Sequence, residues 1–342
     1  MTWDWTDADL FALEGFLGVM GLCRGPLKSS RIGDGHSNLT FLITDGEQQV
    51  VLRRPPPPPT PPGAHDVLRE ATLMSALRGT GVPVPAVLAI GMAGEVIDVP
   101  FFVMSYTAGP VLTTTTPAPL DTSDQRRLIG EALIDTLADL HAVDWRACGL
   151  SDFGRPEGFN ERHYRRMGKL VELEDGKPPP GFKEIDEWLG ANVPVEAGAS
   201  IVHNDYRLGN VIIGPERPGR IAAVLDWELA TIGDPLFDVG YFLASCPVPG
   251  EPRTPTGEFG TALLEPGYPS RTELANRYAE RTGRDLGNLG WYTALAQWKL
   301  AVLYEYGRRR AEAGRGNSYY REPAHVRSFL RAARTAAGLA DS

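Results

Sequence analysis

Seven of the nine residues from Pro55 to Gly63 are proline, and this run limits where secondary structure can continue. Proline fixes its own φ and has no N–H, so PPPPPTPPG forms neither helix nor central strand. It reads as a surface connector, with peptide recognition as the second reading. Before it lie two β-rich runs, Leu39–Thr44 and Gln49–Arg53, separated by Asp45-Gly46, a dipeptide that favours a tight hairpin turn. After it, residues 64–78 place Val67, Ala71, Met74 and Leu77 on one helical face, with Glu70 inside that face.

The same reasoning extends outward. Thr6 and Asp9 carry a capping signal for an amphipathic helix through Leu10, Leu13, Phe16 and Leu17. VPVPAVLAI and FFVMSY add two expected strands, and Ala108, Gly109 and Pro110 loosen the chain beyond them. The remainder is mainly helical in pattern: Ser123–Leu140, a helix from Ser270 with Glu273 completing a capping box, and a long helix through Trp291–Arg310. Two short β-rich segments, IVHND and AAVLDW, interrupt it. The expectation is an α+β, two-lobed chain with a β-rich N-lobe over residues 1–106 and a mainly helical C-lobe over 107–342, joined near Met104–Gly109.

Composition removes several functions. A net charge of −9 and a pI near 5.3 argue against nucleic acid, because neutralising phosphates takes clustered lysine and arginine. Three scattered cysteines, Cys23, Cys148 and Cys246, have no zinc or disulfide spacing, which fits a reducing cytoplasm. The absence of a basic-then-apolar N-terminus and of a long apolar run leads us to expect neither secretion nor a membrane partner.

The most specific segment is VHNDYRLGN, Val202–Asn210, followed by LDWE at Leu225–Glu228, a spacing of H-x-D-x-x-x-x-N and then D. Phosphoryl transfer develops charge on equatorial oxygens, and needs a metal to neutralise it and a group to orient the attacking hydroxyl. Asp205 suits the acceptor hydroxyl, and Asn210 and Asp226 suit Mg2+ as hard oxygen ligands. Each residue alone would read as a turn former; the ordered set points to chemistry. With that set in view, the chain resembles the aminoglycoside phosphotransferase family, which has the protein-kinase-like fold. The family's metal-binding aspartate falls on Asp226, and its GDPxxD continuation on Gly233, Asp234, Pro235 and Asp238. His203 and Asp238 read as loop supports. Asn204 departs from the family's usual glycine. Arg207, two residues after Asp205, stands where protein kinases often carry a lysine near the transferred phosphate; a solvated arginine is its other reading.

Strand parity puts Val51 and Arg53 on one face and Val50 and Leu52 on the other, so Arg53 is expected to face a nucleotide. A carboxylate buried in an apolar stripe needs a cation, which makes Glu70 the expected partner of Arg53 in the manner of the kinase lysine and glutamate; a boundary position at the stripe's edge is its other reading. Arginine in place of lysine is not neutral for phosphate geometry. The resemblance includes a subgroup like the kinase domains fused to acyl-CoA dehydrogenases, in which a VLRR-like strand is followed by prolines. In RIGDGHSN, the backbone N–H groups of Gly35, His36 and Ser37 could cover phosphates or simply shape a hairpin approach. Met104, Ser105 and Tyr106 could offer backbone groups to adenine or form an ordinary strand end.

The expected activity is transfer of the γ-phosphoryl group of ATP, with GTP left open, to a hydroxyl of a small molecule. GYPSRTELANRYAERTGRD and WYTALAQWKLAVLYEYGRRR resemble the dehydrogenase-associated subgroup, which implies a hydroxyacyl-CoA or related acceptor and a functional link to an acyl-CoA dehydrogenase. The family name implies an aminocyclitol antibiotic instead. Arg308, Arg309 and Arg310 read as an anion contact or as the positive last turn of a helix. Trp298, Tyr304 and Tyr306 read as acceptor lining or as core. A non-catalytic nucleotide-binding regulator is the competing class. A protein kinase is disfavoured by the lack of an APE-like motif after Asp226.

Overall fold

The computed structural model describes residues 4–33, 38–57, 65–172, 178–215, 219–251, 253–314 and 317–339. Gly35, His36, Ser37 and most of the proline run lie outside them. The chain divides into two compact units, Met1–Ala108 with Ala222–Glu228, and Gly109–Ile221 with Leu229–Ser342.

The first unit contains α1 (Asp7–Val19), β1 (Lys28–Arg31), β2 (Leu39–Thr44), β3 (Gln49–Arg54), α2 (Val67–Leu77), β4 (Val87–Gly91) and β5 (Phe101–Ser105). The strands form one antiparallel sheet in the order β1-β2-β3-β5-β4. Thr6 and Asp9 form a reciprocal capping box, which fixes where α1 starts. Leu13 and Leu17 then pack with Phe41, Ile43, Val50, Leu52, Phe101 and Val103. Val50 and Leu52 therefore belong to the core under α1, while Arg53 reaches α2, as strand parity requires.

The β2–β3 connection differs from a two-residue turn. Thr44 pairs with Gln49, leaving four residues in the loop. The Asp45 carboxylate organises it by accepting N–H groups from Arg24, Glu47 and Gln48 at 2.6, 2.9 and 2.7 Å. Those backbone donors hold the Asp45 carboxyl low, at about 2. A carboxylate that can satisfy several donors thus overrides the short-turn preference of Asp-Gly.

The second unit contains α3 (Ser123–Ala142), α4 (Phe159–Glu172), α5 (Phe182–Ala191), β6 (Ser200–Val202) and β7 (Val211–Ile213). Next come β8 (Ile221–Val224), whose last three residues belong to the first unit, and β9 (Thr231–Gly233). Four further helices follow: α6 (Pro235–Ser245), α7 (Pro255–Glu258), α8 (Arg271–Thr282) and α9 (Leu289–Glu312), with α10 (Pro323–Ala336) after them. α9 is the hub, packing against α4, α5, α6 and α10. Its Trp291, Tyr292, Leu295, Trp298 and Val302 are buried. Gly240 permits the close approach of α6, because a Cβ there would stand 2.6 Å from Tyr292 Cβ. β6 pairs antiparallel with β9, Ile201 opposite Ile232. This pairing anchors the segment that continues into His203–Asn210.

Candidate active site

Two side-chain clusters gather the residues expected to carry chemistry, one in each unit. In the first, Arg53 sits on β3 opposite Thr40 and Phe102. Its Nε donates to Glu70 Oε2 at 2.8 Å, its second terminal nitrogen binds Asp226 Oδ1, and Glu228 Oε2 lies 3.6 Å away. Glu70 is 2% exposed, and its other oxygen accepts the Trp227 N–H at 3.2 Å. Asn38 donates to Glu228 at 2.9 Å.

One guanidinium therefore faces three carboxylates. Burial opposes the charge on Arg53, yet Glu70, Asp226 and Glu228 together hold its guanidinium above the ordinary value. The carboxylates bear the imbalance. Burial pushes Glu70 up to about 7, with Arg53 opposing and Asp226 and Glu228 adding to the rise. Asp226 is the most exposed of the three and adopts φ +67, a left-handed conformation costly for a residue with a Cβ. An oxygen-rich cluster with surplus negative charge fits a hard divalent cation. Among the described residues no group of three or more His, Cys, Asp or Glu forms a metal-binding arrangement.

Of the residues expected near adenine, Met104 lies on β5 between Val51 and Val87 and is buried, while Tyr106 is 45% exposed just beyond the strand. The Ser105 N–H is bonded to Ala86 O at 2.9 Å, which removes that donor from the set available to a base.

In the second unit, the loop after β6 is held by α6, by α9 and by the Leu229 carbonyl. Asp238 accepts the His203 and Asn204 N–H groups at 2.6 and 2.7 Å. Asn204 has φ +65 and bonds through Nδ2 to Leu229 O at 2.8 Å. The position thus demands the conformation that glycine adopts freely, and asparagine is among the residues that tolerate it best. His203 Nδ1 accepts the Asp205 N–H at 3.3 Å.

Asp205 is then fixed from both sides. Tyr241 O–H donates to Oδ1 at 2.5 Å, and Asn210 Nδ2 donates to Oδ2 and to the Asp205 carbonyl, both at 2.8 Å. Burial first, then the Asp205 charge, holds the Tyr241 hydroxyl well above its ordinary value, so it remains a donor. With its nitrogen committed to Asp205, the Asn210 amide offers its carbonyl oxygen as the group able to meet a cation. Arg207 Nε lies 3.5 Å from Asp205 Oδ1.

Asp234 caps α6 by accepting the Leu236 N–H, while its other oxygen accepts from Asn160, Ala197 and Tyr292. It is a structural clamp. Trp298 is fully buried against Phe182 and Tyr164, so it is core. Tyr304 packs with Tyr319, Tyr320, His325 and Phe329, and Arg310 lies over the Tyr306 ring. Arg308 and Arg309 both bind Glu305, at 2.8 and 2.7 Å, so their own helix engages the expected anion contacts.

Sequence reasoning misses Tyr241, Glu228 and Lys299. Tyr241 follows Asp238 by three residues on α6, a spacing that places both on one helix face. Lys299 sits in the apolar stretch of α9 with its Nζ 3.0 Å from Asn204 O. The argument that singles out Glu70, a charge inside an apolar face, also applies to it.

The phosphotransferase enzyme family model matches residues 28–274. Mouse acyl-CoA dehydrogenase family member 10 is 31% identical over 310 residues, covering 90% of this chain and 29% of that protein. The chain spans about a third of the length of the curated relatives it matches, 29 to 40% for mouse and rat family members 10 and 11. A crystal structure from Ralstonia eutropha, provisionally described as an aminoglycoside phosphotransferase, superposes with a TM-score of 0.81 at 29% identity, covering 97% of this chain and 99% of that one. A mutant of the aminoglycoside phosphotransferase APH(4)-Ia in complex with AMP-PNP and hygromycin B shares the fold at 16% identity, TM-score 0.57, covering 94% and 98%. No helix among the described residues is long and apolar enough to cross a membrane. The family match takes in the Asp205 loop, α6 and Asp226, and by it this kinase-like chain belongs to the phosphotransferase enzyme family.

Proposed function

We propose that the protein transfers the γ-phosphoryl group of ATP to a hydroxyl of a small molecule with Mg2+. The observation that carries this reading is the doubly restrained carboxylate of Asp205, held by Tyr241 at one oxygen and Asn210 at the other. A carboxylate fixed in this way can orient an acceptor hydroxyl and take its proton as the oxygen bonds to phosphorus and ADP departs. Arg207 is assigned to the transferred group. Asn210 and Asp226 are the proposed Mg2+ ligands, and bound Mg2+ would neutralise charge on the phosphate oxygens. Arg53, oriented by Glu70, is assigned to the nucleotide phosphates, the 35–37 segment to their backbone cover, and Met104 and Tyr106 to the adenine edge. AMP-PNP in a solved relative of the same fold supports ATP as the donor.

For the acceptor we favour a neutral or anionic metabolite such as a hydroxyacyl-CoA over a polycationic antibiotic. Arg207 is a cation beside Asp205, and the α9 carboxylate Glu305 is already shared by two arginines. Arg207 would repel a polyamine and attract an anionic acceptor there. The acyl-CoA dehydrogenase names of the relatives support the same choice. The test is a mixed panel of hydroxyacyl-CoAs, aminoglycosides and simple alcohols incubated with Mg-ATP and read by mass. A phosphoryl increment on an acyl-CoA supports the assignment, and one on an aminoglycoside alone overturns the acceptor. Nucleotide binding without product from any class favours the non-catalytic regulator.

A further inference from the structure

We propose that Lys299 is a positioning residue for Asp205, clamping through its ammonium group the peptide that carries the catalytic carboxylate. This rests on the assignment of Asp205 above. Lys299 lies midway along α9, 5% exposed, flanked by the buried Trp298 and Leu300. A buried ammonium is expensive, and an apolar side chain of similar length would fill the same space without that cost. Packing alone therefore does not account for a lysine here.

What the ammonium touches does account for it. Its Nζ donates to the carbonyl of Asn204 at 3.0 Å and lies 5.1 and 5.2 Å from the ring centres of Phe237 and Tyr241. The Asn204 carbonyl and the Asp205 N–H belong to one peptide plane. Lys299 holds the oxygen of that plane, and His203 Nδ1 holds its N–H. Tyr241, the second partner of Lys299, is the residue that donates to Asp205 Oδ1. Both routes from the ammonium end on Asp205.

The clamp answers a specific need. With Asn204 at φ +65, the peptide before Asp205 is held in a conformation that an unrestrained residue leaves readily. Asp238 secures the two N–H groups before it, and Lys299 takes the Asn204 carbonyl that follows them. Charged and titratable groups face Lys299 from three sides: Asp205 from the loop, Asp238 and Tyr241 from α6, and His163 from α4. Burial lowers the ammonium to about 8, with Asp205 and Asp238 opposing the fall. Burial, then Lys299 and Arg166, keeps His163 well below its ordinary value, so it adds no competing charge.

The test compares Lys299→Met and Lys299→Arg with wild type. For Lys299→Met, kcat for phosphate transfer should fall about a hundredfold, as for a misplaced catalytic group, with KM for Mg-ATP changed less than about twofold. Lys299→Arg, which keeps a cationic donor, should recover part of that loss. Independently of turnover, selective 15N-aspartate labelling reports the Asp205 amide. It should titrate near pH 8 in wild type and shift, without titrating, in Lys299→Met. A Met variant with wild-type kcat and an unmoved Asp205 amide overturns the proposal. If wild type phosphorylates nothing yet the amide follows Lys299, the clamp stands and the phosphotransfer reading falls.

Discussion

Asn210 grips Asp205 twice, its amide nitrogen donating at 2.8 Å to both the side-chain and main-chain oxygens of the aspartate. One side chain thereby fixes the catalytic candidate and leaves its own carbonyl oxygen for the proposed metal-ligand role. Asn210→Ala removes both functions, whereas Asn210→Asp replaces the donor with a charge facing Asp205 and keeps an oxygen ligand. The alanine variant should lose about a hundredfold in kcat and need more Mg2+. The aspartate variant should lose kcat with its Mg2+ requirement closer to wild type. Mg2+ titrations of initial rate separate the two.

Arg53 serves three carboxylates, of which Glu70 is the deepest. Arg53→Met leaves that carboxylate buried without its guanidinium and should cost about 3 to 5 kcal/mol. Arg53→Met combined with Glu70→Met should be markedly more stable than Arg53→Met alone. Urea midpoints of wild type, Arg53→Met, Glu70→Met and the double variant close the cycle.

Asn204→Gly should fold normally, because glycine takes φ +65 without penalty. Asn204→Ala should be destabilised by about 1 to 2 kcal/mol from its backbone conformation. Both variants lose the bond to Leu229, so their difference isolates the backbone conformation. Equal stability of the two variants would show that the left-handed conformation is not retained.

Lys299 gives stability a pH dependence whose sign follows from its depressed value, about 8 against an ordinary 10.5. Between these values the unfolded chain binds more protons than the folded one, so stability rises with pH across that window. Below pH 8 both states carry the charge and the burial cost is fully present. Lys299→Met should therefore gain most over wild type near pH 7. The gain should shrink by on the order of 2 kcal/mol by about pH 9.5. Urea unfolding at the two pH values measures it, and a constant gap would contradict the assignment.

Much of this was legible in residues with short-range logic. The Thr6–Asp9 and Ser270–Glu273 boxes mark their helices because the cap and the third helical residue satisfy each other's backbone donors. Glu70 announces Arg53 because a carboxylate in an apolar stripe requires a cation. β9 has no signature, since the three residues Thr231–Gly233 are too few for a period to show. The return of residues 222–228 to the first unit depends on tertiary packing that no local pattern encodes. Tyr241 and Lys299 reach Asp205 across 36 residues and Asn204 across 95, distances over which spacing carries no information.

The most direct test is single-turnover transfer from Mg-ATP to the acceptor, comparing wild type with Asp205→Asn. The account expects transfer by wild type, none when Mg2+ is chelated, and a loss of about three orders of magnitude or more in Asp205→Asn, with ATP affinity retained. Transfer by Asp205→Asn at the wild-type rate would contradict it.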